Sequence, residues 1–548
     1  MKKTCTITGK EFTITNDELA FYEKMDVLVP DICPEERARL RLLHRNERSL
    51  YRRTCDKTGE SIISVFSDTK PYNVWKYESW FSDDWDPTDY SQEYDATRSF
   101  IDQFKELQDA VPKPALLHVR SVDSEYVNLA ADNKNCYMVV ESSNNEDCTN
   151  CYWVQKCNQC IDVSFSHQCE LCYECDDCYG CYRTQESKSS HECTDCIFCI
   201  DCRGCMDCLG CINLQQKKYC ILNKQYTKEE YKEKLATLQL ETYEGREDFR
   251  KLFNQFVLEQ PRKYAEIVNA PGSTGNYIRN AKNCIECFHC YDAEDCMYAE
   301  HVWRGAKECV DVSTAGRTAE RIYNTLNAGI ETSDQIACNI CWTSSYIYYS
   351  SYCFNSNHCF GCTGLRKKNY CILNKQYSKD EYNELKDTII ADMKNHGEWG
   401  TFFPPELSLF GYNETVAQDQ FVLTKESADE KGFNWEDAYT GVYNKETISW
   451  DELRIDDDND EITKNVVRDI ETGQNYRFID NEINILKALR APLPRRHPDE
   501  RHGARMKWRG ENKLYKRTTE DGVEVMTPFA PDRPEKIYSE KGYQDLIL

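Results

Sequence analysis

Thirty-two of the 548 residues are cysteine, and their spacing is the strongest chemical signal in the chain. A thiolate can ligate a metal, exchange disulfides or act as a nucleophile; which of these is open depends on what recurs around it. Through residues 136–211 every third position is small and uncharged. Cys148, Cys151, Val154, Cys157, Cys160, Val163 and Ser166 lead into a run of Cys from 169 to 181. Thr184, Ser187 and Ser190 precede a second run from Cys193 to Cys211. C-x2-C-x2-C is a cluster-binding spacing, so an iron–sulfur or other metal-binding redox protein stays open. Val, Ser and Thr occupy the same column as Cys, however, and cannot stand in for ligands. The leading reading makes these thiols core filler, small buried hydrophobes with weak S–H donors. Ten His residues are present, but no metalloprotease helix, nucleophile elbow, P-loop or dinucleotide fingerprint is found, so the chain reads as a non-enzyme.

A period of three fits neither a helix, at 3.6, nor a flat strand, at 2. It fits a tightly wound β-solenoid that turns one small residue inward between corners and leaves the intervening Tyr, Asp, Glu, Gln, Arg and Lys in water. A second tract keeps the period at Cys284, Cys287, Cys290, Ala293, Cys296, Ala299, Val302 and Gly305. It shifts register at Cys309, Val312, Ala315 and Thr318, then resumes from Cys338 to Cys362. The shifts predict loops or bulges.

Two duplications place these tracts. An offset of 151 aligns YCILNKQYTKEEY (219–231) with YCILNKQYSKDEY (370–382), each after a Cys tract. Thr227 with Glu230, and Ser378 with Glu381, predict capped helices. Apolar residues at Phe249, Leu252, Phe253, Phe256 and Val257 predict a further helix across the ends of the Cys tracts. An offset of 464 aligns residues 5–54 with 469–518 without a gap, so the two ends are copies of one module.

Those modules resemble zinc ribbons with ligands missing. Cys5, Cys33 and Cys55 each begin a knuckle whose second ligand is Thr8, Glu36 or Thr58. The three thiols are the candidate metal ligands, and the cofactor is either none or structural zinc, which needs four Cys or His. The C-terminal copy carries Asp469/Thr472, His497/Glu500, Thr518/Asp521 and Ser539/Gly542 at the same places. Each module keeps a basic segment interleaved with Tyr or Trp. Arg37, Arg41, Arg45 and Arg53, with Arg501, Arg505, Arg509 and Arg517, are the candidate nucleic-acid contacts, with RNA or the ribosome as partner. The alternative pairs them with acidic residues of the chain itself, for which the Trp-rich acidic stretch between residues 66 and 95 is the expected partner. The DDDNDE run at 456–461 reads as a solvated linker.

The expected fold is thus mixed and mainly β: two Cys-rich β-solenoid blocks with helical bridges, flanked by duplicated zinc-ribbon-like end modules. Its segments are an N-terminal module (1–66), an acidic aromatic segment (67–117), the first solenoid (118–221), a helical bridge (222–266), the second solenoid (267–372), a helix (373–396), a connector (397–466) and the C-terminal module (467–548). A formal charge of −25 argues against a surface wholly given to nucleic acid or an anionic membrane. No apolar run reaches the ~18 residues of a membrane span, and the first residues lack a secretory apolar core, so a cytoplasmic protein with reduced thiols is expected. The function expected is a structural or macromolecular-interaction scaffold with a macromolecular partner of unknown identity.

Several motifs together carry a resemblance: CPEER followed by RNERSLYRRTCDKTGESIISV, WFSDDWDP, the C-x2-C runs, YCILNKQY, EWGTFFPPELSLFGYNETVAQ and APDRPEKIYSEKGY. Across its whole length the chain resembles a family of long, Cys-rich, zinc-ribbon-flanked proteins of candidate-phyla bacteria. Relatives are sometimes labelled CaiB/BaiF-like, a CoA-transferase name for which these residues supply no chemistry. The resemblance implies Cys pairs in the C-terminal knuckles, where this sequence has Thr518, Asp521, Ser539 and Gly542.

Overall fold

A computed structural model describes the chain except residues 303–308, 311, 316–321, 324, 327–331, 438–444 and 548. The architecture is mixed α/β, with many small sheets and helices between and around them. In the first Cys tract Tyr137 pairs in parallel with Thr149, Thr149 with Ile161 and Ile161 with Tyr173, so one turn of chain takes twelve residues. Four inward positions per turn give the period of three.

Each triplet has a fixed division of labour. Its first residue points inward, as Cys148, Cys160 and Cys172 do with no solvent exposure. The second joins the ladder: Tyr137 N–H donates to the Cys148 carbonyl at 3.0 Å. The third turns the corner in the left-handed region, as at Asn135, Asp147, Asn150 and Gln159, with φ between 50° and 53°. Its N–H also joins the ladder, Asn150 donating to the Tyr137 carbonyl at 2.9 Å.

One backbone donor per triplet remains, the N–H of the inward residue. The inward side chain of the previous turn accepts it. Cys178 donates to Ser166 Oγ at 3.0 Å, Cys199 to Ser187 Oγ at 3.0 Å and Cys157 to Asn145 Oδ1 at 2.9 Å. Sulfur takes the same place where Cys precedes, as when Asn374 N–H meets Cys362 Sγ at 3.5 Å. The thiols donate in turn, Cys148 Sγ lying 3.4 Å from the Glu146 carbonyl and 3.5 Å from that of Cys157. A small side chain is therefore favoured inside, with an acceptor on Cβ in Cys, Ser and Thr or one atom further out in Asn, and Val139, Val154 and Val163 take the place without one.

The second tract repeats the arrangement, with Ser345 paired to Asn357 and Asn357 to Asn369. Its register shift is one extra residue per turn: Met297 pairs with Val310 and Leu326 with Asn339, thirteen apart. Gly305 and Thr318 lie outside the described residues. Cys296 and Cys309 form a disulfide across one such enlarged turn, and the other thirty cysteines are free. Each tract ends when YCILNKQY folds back, Lys224–Gln225 against Lys218–Ile221 and Lys375–Gln376 against Asn369–Ile372. The capping boxes at Thr227 and Ser378 then start helices Lys228–Thr237 and Lys379–Asn395.

The bridging helix Tyr243–Glu259 does not cross the ends of the tracts as its sequence suggested. Phe249 and Phe253 lie on the flank of the first tract against Phe198, Ile200, Leu209 and Ile212, because those ladder residues already form an apolar side. The outward residues are likewise not all in water. Ile161 and Tyr173 are buried under Ile483, Leu486 and Leu489 of the C-terminal module. The ends cross over: the N-terminal module and helix Phe100–Ala110 pack mainly on the second tract, Phe21 and Tyr22 against Tyr323 and Phe100 against Phe360. The acidic run at 456–461 is exposed or half-exposed, and within it Asp458 caps helix Asn459–Lys464, whose Ile462 is fully buried.

The inward-acceptor rule predicts a ranking. Ser187→Ala strands the Cys199 N–H and costs about 1 to 3 kcal/mol in urea unfolding, and Ser187→Cys recovers most of it. Cys175→Ala costs less than Cys175→Leu, which overfills the turn.

Candidate functional site

The duplicated basic segments fold into matching helices. Pro498–Arg509 starts with Pro at its first turn and His497 as cap, and Pro34–Leu42 starts likewise after Cys33. Arg501, Arg505 and Arg509, four apart, share one helix face. That face sits on the first Cys tract. Arg501 pairs with Asp162 and, at 2.8 Å, with Glu482. Arg505 lies 3.0 Å from Asp162 and donates to Ser164 Oγ at 3.2 Å. Arg509 reaches Asp176 at 2.9 Å and His289 Nδ1 at 2.6 Å, and its guanidinium is held 3.8 Å from the ring centres of both Phe165 and Tyr277. One side chain thereby ties the C-terminal module to both Cys tracts.

The N-terminal copy does the same with different partners. Arg45, the counterpart of Arg509, pairs with Glu47 and with Glu141 of the first tract. Arg37 donates to the Ile32 carbonyl at 2.8 Å and lies over Tyr298, while Arg53 bonds the Ser67 carbonyl at 3.1 Å and Asp56 at 3.0 Å. Arg41 is 1% exposed. Arg517 is partly buried and donates to the Ala530 carbonyl at 3.2 Å.

These eight arginines therefore do not form a surface for phosphate or bases. Arg37, Arg41, Arg45, Arg53, Arg501, Arg505 and Arg509 are all buried. Desolvation is tolerable because Asp and Glu at ladder and corner positions meet them in fixed geometry. Their carboxylate partners include Glu141, Asp162 and Asp176 of the first tract, with Glu47, Asp56 and Glu482, while the stretch between residues 66 and 95 meets Arg53 through the Ser67 and Tyr72 carbonyls. Acidic residues fill so many outward triplet positions that sequence gave no signal for the three on the first tract. Burial pushes the Asp162 and Asp176 carboxyls above their usual range, and the facing arginines oppose it.

A further feature has a legible signature. Trp153 and Phe165, twelve apart, form one aromatic column, and Tyr277, His289 and His301, also twelve apart, form another. They meet face to face, with Trp153–His301 ring centres at 4.6 Å and Phe165–His289 at 5.1 Å. Arg279–Asp177 at 3.2 Å and Tyr179–Tyr291 at 3.2 Å continue the seam between the two tracts.

Of the three candidate metal ligands, Cys5 and Cys33 lie together with Thr8, whereas Cys55 sits in a separate knuckle with Thr58 and the backbone N–H of Lys76 at 3.4 Å. Burial raises the Cys5 thiol, but hydrogen bonds from the Cys33 backbone and from Thr8 outweigh it and bring the thiol down to about 7. In the C-terminal copy Asp469 takes that cradle, accepting N–H bonds from Glu471 and Thr472 at 2.7 Å and from His497 at 2.5 Å. Two thiols and a hydroxyl fall short of the four-ligand set of structural zinc. Among the described residues no three His, Cys, Asp or Glu side chains gather as a metal site. Burial drives the Cys148, Cys160 and Cys175 thiols well above their ordinary range, whereas hydrogen bonds from neighbouring thiols hold Cys157, Cys172 and Cys181 well below it.

Two cavities flank Trp508 where the bridging helix meets the C-terminal module. One, of about 280 Å³, is lined by Tyr243, Arg246, Arg250, Pro494, Arg495 and Arg505 among others. Its cations are already matched: Arg246 and Arg250 bond Glu186 at 2.9 and 2.6 Å, and Arg495 bonds Glu244 at 2.9 Å. The second, of about 300 Å³, is lined by Lys188, Arg262, Tyr277 and Phe529 among others.

Two outcomes follow from the buried charges. Arg501→Met should cost about 3 to 5 kcal/mol in urea unfolding, because it leaves Asp162 and Glu482 undercompensated; the Arg501→Met/Asp162→Asn pair should cost less than the sum of its parts. His44 is buried between Phe402 and Phe403, and burial lowers it to about 4. A depressed base gives stability that is present above the unfolded value near 6.5 and is lost as pH falls toward 4. His44→Asn should therefore remove up to about 2 kcal/mol of the wild-type loss between pH 7 and pH 5, read from denaturant midpoints.

No protein-family model matches the chain, and no curated protein matches it.

Proposed function

We propose that this chain is a non-enzymatic scaffold: two Cys-lined β-solenoid blocks joined by helical bridges and bracketed by ribbon-like modules, offering ordered polar sides to a macromolecular partner in the cytoplasm. The observation that carries this reading is the uncovered side of the first block. Like positions recur there at every turn, with Lys134 bonding Glu146 at 2.6 Å and Arg183 bonding Asp195 at 2.8 Å, each pair twelve apart. Glu170, Tyr182 and Met206 continue the same exposed column. A rigid row repeating with the strand spacing of about 4.8 Å suits a partner that is itself regular or extended.

Inward thiols acting as core filler fit this role, since they are fully buried and fill the blocks. The segment boundaries expected from sequence, and the resemblance to ribbon-flanked proteins of candidate-phyla bacteria, belong to the same proposal. Nucleic-acid binding through the duplicated arginines is not carried forward, because those side chains are committed inside the protein. No helix among the described residues is long and apolar enough to cross a membrane.

The test is capture from native lysate with the full chain, in RNase-treated and untreated arms, against a variant carrying Glu146→Lys, Glu170→Lys and Asp195→Lys. A defined protein retained after RNase and lost with the variant supports the scaffold. Capture unchanged by all three substitutions would sink the assignment of that side, and turnover by the purified protein would sink the non-enzymatic reading. Anaerobically purified protein should also hold far less than one metal per four block cysteines; stoichiometric zinc or iron would restore the metal-binding alternative.

A further inference from the structure

We propose that the cavity between the bridging helix, the strand Gly275–Arg279 of the second tract and the C-terminal module binds a small aromatic phosphate of nucleoside monophosphate size. Its volume, about 300 Å³, lies at the lower end of small-molecule sites. Five cations line it, Lys188, Arg262, Lys263, Arg509 and Arg533, against two carboxylates, Glu266 and Glu535.

Partners outside the lining, Asp176 and Asp201, bring the carboxylates to four against five cations. Arg533 takes Glu535, Arg509 takes Asp176 at 2.9 Å, and Arg262 has Asp201 only at 3.5 Å. Lys263 reaches Glu266 at 3.8 Å. Lys188 is 8% exposed and gives its ammonium to the Trp508 carbonyl at 2.6 Å, a neutral acceptor. Arg262 and Arg509 each keep a buried Nε–H without an acceptor. Burial and Asp201 push Glu266 up to about 7, and burial lowers the Lys188 ammonium to about 8.

The Lys188 ammonium, which meets neutral carbonyls, and the unpaired Nε–H groups of Arg262 and Arg509 carry a desolvation cost that a bound oxyanion would offset. Two planar guanidiniums with an ammonium suit a phosphate better than a carboxylate, which offers fewer acceptor oxygens and less charge. Tyr277, Trp508 and Phe529 supply flat apolar walls for the ring. The neighbouring cavity across Trp508 is also rich in arginine, but Arg246 and Arg250 share Glu186 there and Phe529 is not among its walls. Such a site is separate from the outer side offered to a scaffold partner.

Calorimetric titration of the full-length protein tests the site with AMP, CMP and phenyl phosphate, against inorganic phosphate, adenosine and benzoate. The monophosphates should bind saturably at one site per chain, with the three controls weaker by about tenfold or more. Lys263→Gln and Arg533→Gln, at partly exposed positions, should each weaken binding several-fold with the thermal midpoint unchanged, and Lys188→Met should abolish it. Should Lys188→Met fail to fold, protection of Lys263 from acylation by bound AMP reads the same site in the wild type. Absence of saturable binding at millimolar ligand overturns the proposal. So does benzoate binding as tightly as phenyl phosphate, or affinity unmoved by both Lys263→Gln and Arg533→Gln together with unprotected Lys263.

Discussion

The structure depends on one unmet backbone donor. A chain that turns a corner every three residues leaves one inward N–H per triplet outside the ladder, in a space too narrow for water or a large side chain. Where the inward residue of the previous turn carries an acceptor it meets that donor, as Ser166 serves Cys178 and Asn145 serves Cys157, whereas Val139, Val154 and Val163 fill the column by packing alone. Cysteine fills that position well: its sulfur accepts weakly, its proton finds a carbonyl, and its apolar character tolerates complete burial. The unusual composition is a consequence of the winding, and does not by itself indicate redox or metal chemistry.

The winding is costly. Corner residues such as Trp153, Phe165 and Glu186 adopt left-handed backbone, unfavourable by roughly 1 to 2 kcal/mol for L-residues with a Cβ. Two ladder bonds and one side-chain-accepted bond per triplet offset this, but only when turns are stacked on both sides. The ends of each tract are then the weak points. The hairpin return at YCILNKQY covers each C-terminal edge, and the capped helices that follow hold it in place. Bulky corner residues are tolerated because they project outward, where the aromatic columns of the two tracts interlock.

Assembly rests on charge placed where water is absent. The end of helix Pro498–Arg509 and the turn after helix Pro34–Leu42 bring equivalent arginines, Arg509 and Arg45, to carboxylates on the first tract, and Arg509 also spans the seam to the second. Buried ion pairs contribute little net stability compared with apolar packing, yet they penalise misplacement strongly, since a shifted helix would bury unpaired guanidinium. The duplication thus preserved a means of seating a module more faithfully than it preserved the knuckle thiols: Asp469 now occupies the cradle of Cys5, while the three helix arginines are retained.

Much of the local structure was determined by sequence alone. The period of three marked one small buried residue per triplet and the capping boxes at Thr227 and Ser378 marked helix starts, because each is a short-range pattern with one steric solution, and the offset of 464 paired the helices at Pro34–Leu42 and Pro498–Arg509. Tertiary structure decided what those paired helices do. Whether Arg501 or Arg509 meets a phosphate or a carboxylate depends on which side of a coil faces it, and acidic residues recur on every side, so local sequence carries no preference. The same holds for the crossing of the chain ends, for the flank chosen by Phe249 and Phe253, and for the cation-rich cavity beside Trp508, whose walls are separated by more than three hundred residues and acquire a common electrostatic character only when folded together.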